Sequence, residues 1–260
     1  MSKNMQDHQD EFFVGYLPVP AGLRGWLRRI VLLTLVLVAA AAATIAGMQQ
    51  SPGEGAWTID QQESWEGVLI QRPYPMLRMT RGGEVRTILL VSEGKVGAEK
   101  QAATLDGKAV RIRGTLVKRD GRHLVELVNE PDAVVAIEDT NAAGGAAPVP
   151  PLSWRRVELR GEIIDPKCYL GVMKPGEGKT HKACAALCLR GGIPPMFVNL
   201  DEAGARCYFL IVSESGEAVT GDDLDALIAH VGESVRVQGQ TATWGDMTLL
   251  KLKGSDVERD

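Results

Sequence analysis

Positive charge is in short supply along this chain. Its 29 Lys and Arg are outnumbered by 33 Asp and Glu, leaving a net charge of −4, and the isoelectric point falls near 5.7. A nucleic-acid partner would need a basic face, so that class of function is set aside. Cysteine and histidine are scarce too, four of each in 260 residues. The string C-x-x-C-H is absent, which excludes covalently attached haem. The thioredoxin spacing C-x-x-C is absent as well, leaving only Cys184-x-x-x-Cys188. "KPGEGKT" (174–180) lacks the G-x-x-x-x-G-K-[ST] frame of a phosphate loop and reads as solvated loop. No Ser-His-Asp constellation and no paired carboxylates stand apart from ordinary surface acids. No catalytic residue is therefore assigned, and the chain is not expected to be an enzyme. His123 is expected at an exposed turn. His230 is expected late in a helix, where its charge suits the helix dipole.

What the chain does have is ordinary globular composition, 45% hydrophobic and 24% charged, in a length that suits one large domain or two small ones. The stretch 30–48, "IVLLTLVLVAAAAATIAGM", is strongly apolar and contains no charge. Roughly 20 such residues span the ~30 Å core of a bilayer as a helix. Arg24, Arg28 and Arg29 precede the run; Gln49, Gln50, Ser51 and Glu54 follow it. That asymmetry places the N-terminus in the cytoplasm and the rest outside, with Trp26 as an interfacial anchor. A cleaved signal peptide is the competing reading, the alanines at 39–43 offering a cleavage site. The leader 1–29, however, carries acids and aromatics ("DEFFVGYLPVP") where a signal peptide has a short basic region. The expectation is a retained signal-anchor: a cytoplasmic leader (1–29), a single transmembrane helix (30–48) in the cytoplasmic membrane, and soluble domains in the periplasm.

The remainder contains an internal repeat. "SW" occurs at 64–65 and 153–154, "ILLVSEGK" (88–95) resembles "FLIVSESGE" (209–217), and "GKAVRIRG" (107–114) resembles "GESVRVQG" (232–239). Between the copies lies "DTNAAGGAAPVPPL" (139–152), an Ala/Gly/Pro-rich linker. The landmark offsets are 154 − 65 = 89 at the start and 213 − 92 = 121 further on, so the second copy gains about 121 − 89 = 32 residues. Each copy reads β-β-β-α-β-β. In the second, "RVELRGEII", "MFVNL" and "RCYFLIV" are strands. "TGDDLDALIAHVG" is a helix with Leu224, Leu227, Ile228 and Val231 at helical spacing and Gly232 at its end. A hairpin, "SVRVQGQTATW" and "DMTLLKL", follows. This is the order of a five-stranded OB barrel. The expected fold is mainly β: the anchor, then two tandem OB-like barrels at 57–138 and 153–255, the second carrying a cysteine-containing helical insertion. The first copy should repeat the pattern with a weaker helix around 98–105.

All four cysteines lie in the second copy, at 168, 184, 188 and 207. The offset of 121 sets Cys207 against Arg86, so the barrel itself has no need of thiols. "GEIIDPKCYL" followed by "HKACAALCLRGGIPP" resembles a group of exported or membrane-anchored bacterial OB-like proteins of unassigned activity. They carry D-x-x-C-Y-L and H-x-x-C-A-x-x-C segments, matched here by Asp165, Cys168, Tyr169, Leu170, His181, Cys184 and Cys188. The resemblance implies the fold and the compartment, and no reaction.

Two chemistries stay open for these residues. In an oxidising compartment Cys168, Cys184, Cys188 and Cys207 could form two disulfides fastening the insertion. Alternatively Cys168, His181, Cys184 and Cys188 could hold a metal, zinc or copper(I), since spacings of three and four residues put 181, 184 and 188 on one helical face. Asp165 is expected to cap the turn after the strand. Two functions follow. One is a non-catalytic, membrane-tethered periplasmic accessory subunit docking onto a protein partner in a larger membrane or redox complex. The other is a metal- or redox-cofactor-binding protein using the Cys/His insertion.

Overall fold

The computed structural model describes residues 19–48, 55–138 and 152–260. Most of the expected leader and nearly all of the linker lie outside the described residues. The chain divides into an N-terminal unit, Met1–Ser51, and a second unit, Pro52–Asp260.

Helix α1 (Ala21–Met48) starts upstream of the apolar run and takes Arg24, Trp26, Arg28 and Arg29 into its first turns. The Pro20 carbonyl accepts the Leu23 and Arg24 amides at 3.1 and 2.9 Å, as a helix start requires. The segment Gly22–Met48 is long and apolar enough to cross a membrane.

The second unit is two closed five-stranded barrels in tandem. The first comprises β1 (Ala56–Ile70), β2 (Met76–Arg81), β3 (Glu84–Ser92), the single turn α2 (Glu99–Ala102), β4 (Ala109–Arg119), β5 (Arg122–Leu127) and a short β6 (Val134–Ala136). Strand β1 pairs with both β2 and β4, and β3 runs parallel to β5, so the order β1-β2-β3-β5-β4 closes on itself. The second comprises β7 (Arg155–Ile164), α3 (Lys182–Arg190), β8 (Met196–Leu200), β9 (Arg206–Val212), α4 (Gly221–His230), β10 (Ser234–Trp244), β11 (Met247–Lys251) and β12 (Val257–Arg259). It closes in the same way through β7–β10 and the parallel pair β9–β11. The mainly β, OB-like architecture expected from the alternation and the repeat is the observed one.

The register tests the repeat residue by residue. Ile112 faces Trp65 on β1 and Val134 on β6; Val237 faces Leu159 on β7 and Val257 on β12. Val110, Ile112 and Gly114 are thus equivalent to Val235, Val237 and Gly239. Trp65, however, matches Leu159, and Trp154 precedes β7 altogether, so the "SW" landmark is out of register. Ile70 faces Met76 and Ile164 faces Met196, which are intervals of 6 and 32 positions. The insertion is therefore 32 − 6 = 26 residues, not the 32 that the "SW" pairing suggested, because a dipeptide match carries no strand pattern. Gly67 and Gly161 occupy the same place in the two barrels. A Cβ there would meet Arg78 O at 2.4 Å and Val198 O at 2.1 Å, so glycine permits the close strand approach.

Three apolar clusters fill the unit. Leu69, Leu77, Leu90, Ile112 and Leu127 fill the first barrel. Ile163, Phe197, Ile211, Val235 and Val237 fill the second, closed at one end by Leu227 and Ile228 of α4. Each such side chain contributes about 1.5–3 kcal/mol by burial. The third cluster belongs to neither barrel. It joins Met76, Leu89 and Val117 of the first to Ile164, Met196 and Leu210 of the second, with Cys168, Tyr169, Leu170 and Cys188 of the insertion between them. Polar ties reinforce it. The Tyr74 hydroxyl donates to Ile211 O and accepts from the Val219 amide, both at 3.0 Å. Lys167 donates to the carbonyls of Ser92 and Gly94 and faces Glu126 at 2.9 Å. The insertion is fastened by burial between two barrels.

Candidate thiol-rich metal site

Strand β7 delivers the chain to Asp165, whose Oδ1 accepts the amides of Lys167 at 2.9 Å and Cys168 at 3.3 Å. This side-chain turn is the capping role expected for it, and it sets Cys168 at the head of a π-helical turn, Cys168–Val172. A loop returns to His181, which caps α3. Gly191 at the far end of α3 docks on the first barrel, its carbonyl accepting the Gly97 amide at 2.9 Å. That contact carries the 92–97 loop, and with it Lys95, across to the cysteines.

The donor atoms fall into two groups that share Cys168. Cys168, Cys184 and Cys188 have sulfurs all within 4.8 Å of one another, and the Cys168 and Cys184 sulfurs are 4.0 Å apart. Asp165, Cys168 and His181 form the second group within the same limit, with His181 Nε2 at 3.6 Å from Asp165 Oδ2. Lys95 Nζ lies 2.7 Å from Cys184 Sγ and 3.7 Å from Cys188 Sγ. Asp165, Cys168, His181 and Cys188 are buried, and Cys184 is half-buried. The expected single Cys₃His set is thus divided. His181 and Cys188 are seven residues apart, which is about 10 Å of helix rise, so Cys168 from outside the helix has to mediate between its two ends.

Burial pushes the Asp165 carboxyl up, but the nearby His181 ring and the thiols of Cys168 and Cys188 outweigh it and hold it below the usual carboxylate range. The hydrogen bond to Cys188, then burial and the Asp165 charge, push Cys168 far up. The same bond brings Cys188 down against burial, helped by Lys95. Of this pair, Cys188 gives up its proton more readily than Cys168. Lys95 is raised, first by its hydrogen bond to Cys184. The cluster therefore favours thiolate beside a cation.

The donors fit a soft or borderline metal. Four ligands placed ~2.3 Å from zinc form a tetrahedron with edges of about 3.8 Å, close to the 4.0 Å between Cys168 and Cys184. A disulfide needs ~2.05 Å, and all four cysteines are free thiols. Asp165 Oδ2 and His181 Nε2 are buried with no hydrogen-bond partner. Cys207 stands apart. On β9 it shares a face with Phe209 and Ile211, which pack into the second barrel's core, while Tyr208, Leu210 and Val212 face the shared cluster that holds Cys168 and Cys188.

Of the remaining residues singled out in the sequence, His230 is half-buried in the last turn of α4. His123 is half-buried rather than exposed. It lies on β5 and lines a cavity of about 290 Å³ with Arg86, Arg122 and Asp246, because the second barrel covers that turn. Lys95 and Lys167 were not anticipated. Each is one lysine in a loop, and nothing local marks it as reaching another domain. No family model matches the chain, and no curated protein matches it.

Proposed function

We propose that this is a membrane-tethered metal-binding protein whose second barrel holds a soft or borderline cation, zinc or copper(I), through Cys168, Cys184 and Cys188. The observation that carries this reading is the meeting of three free sulfurs from two separate segments within 4.8 Å, while the fourth cysteine stands apart. Cys168 reaches the site from the turn after β7, Cys184 and Cys188 from one face of α3, and Lys95 supplies a counter-charge from the other barrel. When bound, the metal would supply Lewis acidity or, as copper, one-electron chemistry. The protein's part is to hold the thiolates together and to shield all but the Cys184 side from water. The apolar α1 supports tethering to the cytoplasmic membrane, and the arginines before its apolar run support a cytoplasmic N-terminus with the barrels in the periplasm.

The accessory-subunit reading is compatible with this one and has its own support. Val96, beside Lys95, and Leu187, between Cys184 and Cys188 on α3, are exposed apolar residues, 47% and 54% accessible, flanking the open side of the site. A partner protein in a larger membrane complex could receive metal or electrons there. The test is thiol titration with and without reductant on anaerobically purified full chain, beside elemental analysis. Free thiols with stoichiometric metal support the reading. Four oxidised cysteines without metal overturn it.

A further inference from the structure

Asp165 Oδ2 and His181 Nε2 present a problem that the three-thiol site leaves unsolved. Both belong to side chains that are 0% and 4% exposed, and neither has a hydrogen-bond partner. Their separation of 3.6 Å is beyond a good N–H···O bond. Buried polar groups are ordinarily paired. Asp165 is not free to turn away, since its Oδ1 is fixed by the Lys167 and Cys168 amides. The His181 backbone is held at the start of α3, its amide donating to Gly178 O and its carbonyl accepting the Ala185 amide, both at 3.0 Å, and its side chain makes no capping hydrogen bond. Cys168 Sγ completes a trio within 4.8 Å.

We propose that Asp165, Cys168 and His181 form a second metal position, joined to the three-thiol position through Cys168 as a shared thiolate. This inference rests on the metal-binding reading above and extends it from one ion to two. A carboxylate, an imidazole and a thiolate are the donor types of a borderline divalent cation of the zinc class, whereas the all-sulfur position suits zinc or copper(I). Oxygen, nitrogen and sulfur donors at 2.0–2.3 Å from one ion lie ~3.3–3.8 Å apart, the scale of the observed His181–Asp165 gap. All three residues are buried, which suits a closed, structural ion. This position sits between the turn that ends β7 and the start of α3, so it would bind the two ends of the insertion to each other. The three-thiol position, on the Cys184 side, is the more accessible one.

The experiment uses the reduced full chain in detergent, titrated anaerobically with cobalt(II) and then zinc, with bound metal counted by elemental analysis. Two equivalents of zinc per chain are expected. Asp165→Asn and His181→Ala should each bind one equivalent, as should the double variant Cys184→Ser/Cys188→Ser. Every variant should keep a sulfur-to-cobalt charge-transfer band through Cys168, and far-UV circular dichroism reports whether each has folded. One equivalent in the wild type that survives His181→Ala and is lost in the double cysteine variant overturns the second position and leaves the three-thiol reading standing. One equivalent lost in both variants indicates a single mixed site and also overturns it. No bound metal in the wild type overturns both.

Discussion

Lys167→Met should be costly, and the structure says by how much. The Lys167 side chain is 4% exposed and the Glu126 carboxylate it faces at 2.9 Å is 10% exposed. Its ammonium also donates to Ser92 O at 3.0 Å and Gly94 O at 2.5 Å. Replacing the lysine leaves a buried carboxylate without its counter-charge and frees the 92–97 loop from the insertion. Breaking one side of a buried pair costs about 3–5 kcal/mol. For a unit of this size, with about 2–4 °C per kcal/mol, the melting temperature should fall by roughly 6–20 °C. The partner substitution separates this from a packing loss. In Lys167→Met/Glu126→Leu no charge is stranded, and apolar replacements for buried pairs are often neutral or stabilising. The double variant should recover most of the loss. Thermal melts of the detergent-solubilised chain, run as a double-mutant cycle, give both values. A single-variant cost below about 1 kcal/mol is the value expected of an exposed pair. That result, or a double variant equal to the sum of the singles, would refute the claim that this ion pair ties the barrels together.

Three further expectations follow. Tyr74→Phe removes a hydroxyl that satisfies Ile211 O and the Val219 amide across the barrel interface; it should cost about 2 kcal/mol, and an unchanged melt would place that interface elsewhere. Burial raises the Glu162 carboxyl above the usual glutamate range, only partly offset by the Gly178 amide. A raised folded-state value means its contribution is full below the unfolded value and lost as pH rises through the folded one, so Glu162→Gln, which keeps the acceptor for Gly178, should raise the melting temperature at neutral pH. The gain should vanish by about pH 4, and a gain that grew on acidification would contradict the reasoning. A cysteine-free reporter fused after Asp260 should be extracytoplasmic and α1 should be retained; recovery of a soluble form beginning near Gln49 would mean that α1 is a cleaved signal.

The barrels were legible in the sequence because their signals are local. Alternation marked the strands, Leu227 and Ile228 marked the covering helix, and the match of "GKAVRIRG" to "GESVRVQG" fell on strands in the same place. "SW" misled because two residues without a pattern can recur by chance, and the insertion length taken from it was wrong. Cys184 and Cys188 declared a shared face through their four-residue spacing. The division of the site could not be read in the same way, because Cys168 approaches from a turn whose direction is set by Asp165 Oδ1. Least legible was the shared core. Met76, Leu89 and Val117 look like any strand residues, and only packing across long sequence separations reveals that they cover the insertion. Lys95 belongs to the same class, being placed by the Gly97–Gly191 contact.

The central claim is that Cys168, Cys184 and Cys188 converge on a metal. X-ray absorption at the metal edge, on anaerobically zinc-loaded full chain, tests it directly. The account predicts a sulfur shell near 2.3 Å with the amplitude of at least two sulfurs, weakened in Cys184→Ser/Cys188→Ser. A first shell of oxygen and nitrogen alone would contradict it, as would a protein that takes up no zinc with its thiols reduced.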